Sequence, residues 1–396
     1  MILSLLLALL QDPAALGEKA YRDGKFAEAA DHFEKALSQL KEKERPASLW
    51  LALGHASLQA KRWDAAIRAY REAIALKADT AEAYRGLGQA QWSSGLAEDS
   101  LRSFHRAATL DPDGSDLLTI ARIRAQREEW LLAENVASAH LRADPASIDG
   151  LEVLSYVLTR EGKWSEAAGV YRALTRRKPA ETRYLIAWAQ AESAQRRYGE
   201  AADLLELATR IGAPDADALR LLADLYLQLQ MYSEAATTYG RMLGAAKDAR
   251  ADDWIRLGHA YLRSRQPVSA RAAFEKARAL DPSNSSASLE LASLAASRGE
   301  TELARKEFAA AGAGLGWTAW ESLGDFEFQA GRFSEAAAAY AEAVRRGTSN
   351  VGTRSNLVFA LESAGKTEEA RQALREALRR YPLDDKLRNQ LRQMDK

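Results

Sequence analysis

The sequence predicts an all-α solenoid, an array of antiparallel helix pairs. Three observations predict it. First, a small residue recurs at a fixed interval: alanine at 29, 66, 133, 167, 201, 235, 270, 304, 336 and 370, and serine at 100. The steps run from 32 to 37 residues and are mostly 34, the period of a helix–turn–helix unit. Second, an aromatic or leucine usually follows four residues on, and another alanine seven residues on. Spacings of i, i+4 and i+7 put all three on one helical face. Third, prolines fall only at predicted helix starts, turns or repeat boundaries, and glycine recurs where a first helix must stop. The period accounts for nearly all of the 396 residues and leaves no room for a separate catalytic domain.

The elements follow in order. The run MILSLLLALL comes first, and Asp12-Pro13 then reads as a helix N-cap and first helical residue. The apolar run is too short to span a bilayer and resembles the core of a secretory signal. It lacks a basic leading segment and a clear small-x-small cleavage site. Residues 1–12 are therefore expected to be an exported protein's leader, which puts the chain in a periplasm or cell envelope. An apolar cap over the first unit of a cytoplasmic protein is the alternative.

From residue 13 to 382 eleven units can be laid end to end. Counting positions within a unit, position 8 is small: Gly17, Gly54, Gly88, Ala121, Ser155, Ala189, Ala223, Gly258, Ala292 and Gly324, with Val358 last. A large residue there would overpack the contact between paired helices, at roughly 1–3 kcal/mol. Glycine closes the first helix at Gly24, Gly95, Gly162, Gly299, Gly331 and Gly365. A bulky residue opens the second helix at Phe26, Trp63, Trp130, Trp164, Tyr198, Tyr232 and Phe333. Position 24 carries Phe33, Tyr70, Phe104, Tyr171, Tyr239, Phe274, Phe308 and Tyr340, large enough to fill the space between pairs. No proline falls inside a predicted helix, where it would cost about 3 kcal/mol. The middle units depart from the pattern with Ala137, His140, Leu174, Leu205 and Met242, which predicts a local change of curvature. Over 383–396, Leu383, Leu387, Leu391 and Met394 share one face, as a capping helix at a solenoid's end requires.

These units resemble tetratricopeptide repeats. That pattern has a large apolar residue at position 4, Leu at 7, Gly or Ala at 8, Tyr at 11, Ala at 20, an aromatic at 24, Ala at 27 and Pro at 32. The unit beginning at Ala251 reproduces it with Trp254, Leu257, Gly258, Tyr261, Ala270, Phe274, Ala277 and Pro282. The unit at Ala81 gives Tyr84, Leu87, Gly88, Ser100, Phe104, Ala107 and Pro112. The resemblance implies a right-handed superhelix whose concave groove is lined by positions 2, 5, 9, 12 and 13 of the first helices. It also implies a protein or peptide partner. The Lys, Asn and Arg clamp by which chaperone-binding members hold a terminal carboxylate is missing. Of the asparagine ladder of glycosyltransferase-type members, only Asn356 is present at position 6.

Composition and motifs exclude much else. Charged residues balance at 55 against 55, which argues against a polyanion held by net charge, and so against nucleic acid. Without cysteine there is no disulfide, thiolate metal site or cysteine nucleophile. Five scattered histidines show no metal-ligand spacing. Gly312-Ala313-Gly314-Leu315-Gly316 lacks the strand and Lys-Ser/Thr of a phosphate loop and is read as an inter-repeat loop. Asn284-Ser285-Ser286 matches a glycosylation acceptor only by a common tripeptide. Acid pairs such as Asp252-Asp253 sit at helix starts, where they suit the dipole. No catalytic residue, metal or cofactor is assigned.

The groove positions carry the functional expectation. The candidate contacts are Trp92, Tyr156, Asp224, His259, Phe328 and Phe359. Aromatics flanked by charges suit peptide or helix recognition; packing against the adjoining first helix is the competing reading. The expected function is a non-enzymatic adaptor or scaffold. A structural subunit of a secretion, pilus or outer-membrane machine is a second reading. An accessory module for cell-wall or polysaccharide synthesis is a third.

Overall fold

The computed structural model describes residues 12–112, 115–212, 215–246, 248–283 and 285–394. The apolar run at 1–10 and Asn284 lie outside them. Among the described residues every regular element is helical. The chain forms two compact units, Met1–Leu204 and Leu205–Lys396.

In the first unit the helices run α1 Pro13–Arg22, α2 Phe26–Gln39, α3 Ala47–Gln59, α4 Trp63–Ala75, α5 Ala81–Ser93, α6 Ala97–Leu110, α7 Ser115–Gln126, α8 Trp130–Ala143, α9 Ile148–Glu161, α10 Trp164–Arg177 and α11 Thr182–Ala194. A short 3-10 turn, Glu42–Glu44, precedes α3. Helix α12, Tyr198–Ile211, carries the boundary between the units. The second unit continues with α13 Ala216–Gln228, α14 Tyr232–Ala245, α15 Ala251–Arg263, α16 Pro267–Leu280, α17 Ser285–Ser297, α18 Thr301–Leu315, α19 Trp317–Gln329, α20 Phe333–Arg345, α21 Val351–Ser363, α22 Thr367–Arg380 and α23 Asp385–Met394. Pro13 and Pro267 stand in the first turn of their helices, where no amide hydrogen is needed.

A turn of two or three residues joins odd to even helices throughout, so each pair is antiparallel. All eleven turns hold one residue in the left-handed region. Six are the glycines named above; the others are Lys61, Glu128, Arg196, Gln230 and Arg265, at φ of 60–61°. The next amide then bonds back to a carbonyl five residues earlier, as from Lys25 to Ala20 at 2.9 Å and from Gln266 to Tyr261 at 2.8 Å. That closes the first helix and caps its free carbonyls.

The recurring small residue is the centre of each pair. All ten alanines of the period, and Ser100, are fully buried. Ser100 is accommodated because its hydroxyl donates to the Gly88 carbonyl at 2.7 Å. Position 8 meets the ring at position 24 of its own unit. A Cβ on Gly54 would lie 2.8 Å from Tyr70, and one on Gly324 would lie 2.6 Å from Tyr340. Tyr70 also closes on Gly86 of the next unit, so the ring does bridge successive pairs. In the last pair the volumes are exchanged: Val358 stands at position 8, Leu374 at position 24, and both are fully buried in one cluster.

Two expectations are corrected. Gly312–Leu315 is not a loop but the last turn of α18, and Gly316 alone (φ 63°) makes the connection to α19. The backbone there is crowded: a Cβ on Gly312 would lie 2.5 Å from the Trp320 indole nitrogen. Glycine lets α18 and α19 approach without leaving the helix. Leu383 does not share the apolar face of the terminal helix. It precedes α23 and is 79% exposed, while Leu387, Leu391 and Met394 pack on the last repeat.

Candidate functional site

The odd-numbered helices carry the positions expected to meet a partner. Many of these side chains are already engaged between repeats. Position 5 of one repeat bonds position 3 of the next. Arg85 Nε donates to both carboxylate oxygens of Asp116 at 2.9 Å. Arg220 Nε donates to Asp253 at 2.8 Å. Tyr184 donates to Glu152, and Thr353 donates to Glu321. Asp116 and Asp253 are buried, so each arginine neutralises a charge that could not stand there alone. The hydrogen bonds it donates to Asp116 and then to Asp111 hold the Arg85 guanidinium well above its ordinary range. Burial, aided by Glu152, pushes the Tyr184 hydroxyl up to about 12.

In several repeats position 9 serves the repeat's own core. The tyrosine at position 24 is buried and must place its hydroxyl. Tyr70 meets His55 Nδ1 at 3.0 Å, Tyr340 donates to Asp325 at 2.6 Å, and Tyr239 donates to Asp224. Burial first, then the neighbouring carboxylate, raises the Tyr239 and Tyr340 hydroxyls far above the usual phenol range. Asp224 also accepts Arg256 Nη1 at 2.5 Å. His259 has a phenylalanine opposite it, stacks edge-on against Phe274 at 5.6 Å, and lies 3.6 Å from Glu290. Of the six expected contacts, Asp224 and His259 thus carry structural duties.

The four aromatics are placed differently. Trp92 is half-buried against Leu101, Phe104, Ile120 and Ile123. It walls a cleft with Gln89, Arg122 and Gln126. Tyr156 is 51% exposed and meets Trp130 edge-on at 6.1 Å. Phe328 and Phe359 come together, one repeat apart. With Asp325, Gln329, Tyr340 and Asn356 they line a cleft of ≈ 200 Å³ between α19 and α21. Phe328 is fixed edge-on to Phe333 at 5.2 Å, and Phe359 is 40% exposed. Gln329 was not anticipated: position 13 is a lining position, but a lone glutamine carries no signal. A further cavity of ≈ 520 Å³ opens among Glu18, Tyr21, Arg22, Phe33, His55 and Glu82 across the first three repeats.

Among the described residues no group of three or more His, Asp or Glu could hold a metal ion. No described helix is long and apolar enough to cross a membrane.

Helix pairs, period-spaced buried alanines and a lined face of first helices define a helical-repeat protein. Models of the tetratricopeptide repeat match residues 186–250, 255–314 and 327–393, and a TPR repeat model matches residues 47–95. The chain belongs to the tetratricopeptide repeat proteins. Members of this family are typically non-catalytic scaffolds, and the repeats make this chain a protein–protein interaction module.

No curated protein sequence matches the chain. Among solved structures it is similar to a tetratricopeptide repeat protein from Parabacteroides merdae, at 14% identity over 63% of this chain and 97% of that one, TM-score 0.41. It is also similar to the C-terminal part of a TPR repeat-containing protein from Cytophaga hutchinsonii, at 14% identity over 69% and 97%, TM-score 0.47. A third is MamA from Desulfovibrio magneticus, at 18% identity over 43% and 98%, TM-score 0.39.

Proposed function

We propose that the chain is a non-enzymatic adaptor that holds a segment of a partner protein against the first-helix face of its repeats. The observation that carries this reading is the exposure of Phe359 and Tyr156 on that face. Position 24 already fills the core of both repeats, with Tyr171 in one and Leu374 in the other, so these two rings are surplus to packing. A large apolar ring left half in water is unfavourable by roughly 25 cal/mol per Å² until something covers it. Rigid aromatics beside polar groups are the usual anchors of protein recognition.

Site-specific photo-cross-linking in the native cell tests the proposal. A benzophenone amino acid at 156 or 359 is expected to trap a defined partner. The same residue at Val268, 72% exposed on the second helix α16, is expected to trap none. Adducts of equal yield at 268, or adducts there alone, overturn the reading.

A further inference from the structure

The cleft between α19 and α21 lies on a helix, α19, on which two carboxylates, Glu321 and Asp325, meet only neutral donors. Several carboxylates elsewhere on the first-helix face have an arginine from a neighbouring repeat. Asp116 has Arg85, Glu152 has Arg183 at 2.6 Å, Asp224 has Arg256, and Asp253 has Arg220. Glu321 and Asp325 have none among the described residues. One turn apart on α19, they accept only from neutral donors: Asn350 at 2.9 Å and Thr353 for Glu321, Tyr340 for Asp325. The nearby cations are engaged elsewhere. Arg332 is held by Glu327, Arg345 and Arg346 by Glu342, and Arg354 lies over the Tyr381 ring.

We propose that this cleft receives the cationic side chain, arginine or lysine, of a bound partner segment. The proposal rests on the adaptor reading and adds the chemistry of the guest. Two uncompensated carboxylates on one face attract a cation and repel an acid. The rings of Phe328 and Phe359 offer π faces, and a guanidinium or ammonium against such a face is attracted by the ring quadrupole. The aliphatic stem of either side chain covers ring area while the head reaches the carboxylates. Asn356 and Gln329 add neutral polar groups at the rim. The volume of ≈ 200 Å³ is below the roughly 300–1,000 Å³ of small-molecule sites, so one side chain fits and a cofactor does not.

The test uses the full chain with 4-fluorophenylalanine at position 359 and fluorine NMR as readout. The probes are N-acetyl-arginine amide, N-acetyl-lysine amide, and N-acetyl-citrulline amide, a neutral isostere of arginine. Saturable shifts with the two cations, and none with citrulline, are expected. Asp325→Asn keeps an acceptor for Tyr340, so the fold is retained, and arginine binding falls about tenfold. Glu321→Gln weakens it less. Raising salt weakens it further. An equal citrulline response, no response to either cation, or wild-type binding by both variants overturns the proposal. Photo-adducts at 359 together with a fluorine signal deaf to arginine would leave the adaptor reading standing while the cationic guest is discarded.

Discussion

Asp253 is buried at the start of α15, and Arg220, 33 residues earlier, donates to it at 2.8 Å from the preceding repeat. The same carboxylate accepts the Arg250 amide at 3.2 Å and so caps its own helix. One side chain thus closes a helix and ties two repeats together. Arg85 and Asp116 repeat the ion pair between successive repeats in the first unit. Asp253→Ala leaves the mostly buried Arg220 guanidinium only the exposed Asp217 as a partner and is expected to cost about 3 kcal/mol, read as a lower urea midpoint. The double variant Arg220→Met, Asp253→Leu recovers most of that loss. A double variant as unstable as the single one would contradict the account.

The same pair sets an acid limit. Burial alone would raise the Asp253 carboxyl, but the hydrogen bonds from Arg220 and the Arg250 amide outweigh it and leave it below the ordinary range. In the unfolded chain this carboxyl titrates near 3.9. As pH falls, the unfolded chain therefore takes up the proton first, and the stabilisation drains away through the folded value. The stability gap between wild type and Asp253→Asn should be constant above about pH 5 and shrink towards pH 3. Urea titrations at a series of pH values read it directly. A gap that widens on acidification reverses the assigned sign.

Two glycines in helices predict opposite responses to alanine. Gly54 faces Tyr70, where a Cβ would lie 2.8 Å from the ring. Gly54→Ala should lose roughly 1–3 kcal/mol by overpacking. Gly169, exposed in α10, has open space for a Cβ. Gly169→Ala should gain about 0.5–1 kcal/mol, because a helix interior favours alanine. Thermal melts of the two variants decide the matter, and equal shifts of one sign would show that position 8 is not the contact described.

The left-handed turns give a third stability prediction. Arg265 holds φ at 61° on an exposed turn. Relief of that strain is worth roughly 1–2 kcal/mol, against about 0.5–1 kcal/mol for glycine's freedom in the unfolded chain. Arg265→Gly is therefore expected to raise the melting midpoint, and Gly365→Ala, at φ 76°, to lower it. A lower midpoint for Arg265→Gly would show that the arginine side chain outweighs the strain.

The sequence made the packing legible because packing repeats. Ala270 and Phe274 recur as a type in most units, so their burial can be read from the period alone. The five non-glycine turns were hidden for a physical reason. The left-handed conformation at Lys61 or Gln230 is imposed by the helices on either side and leaves no mark on the residue type. The interaction face was legible only as a set of positions. Nothing in Glu152 or Arg220 tells that a partner waits about one repeat away, and such bonds separate structural side chains from free ones. Phe328 and Phe359 stand 31 residues apart in the chain, and only the stacking of α19 and α21 makes them one cleft.

The central claim is that partner recognition lies on the first-helix face and uses aromatics the core does not need. Calorimetric titration of the cross-linked partner segment against wild type, Phe359→Ala and Val268→Ala measures it most directly. The account predicts at least about tenfold weaker binding for Phe359→Ala, unchanged binding for Val268→Ala, and similar melting for all three. Undiminished binding by Phe359→Ala would contradict it.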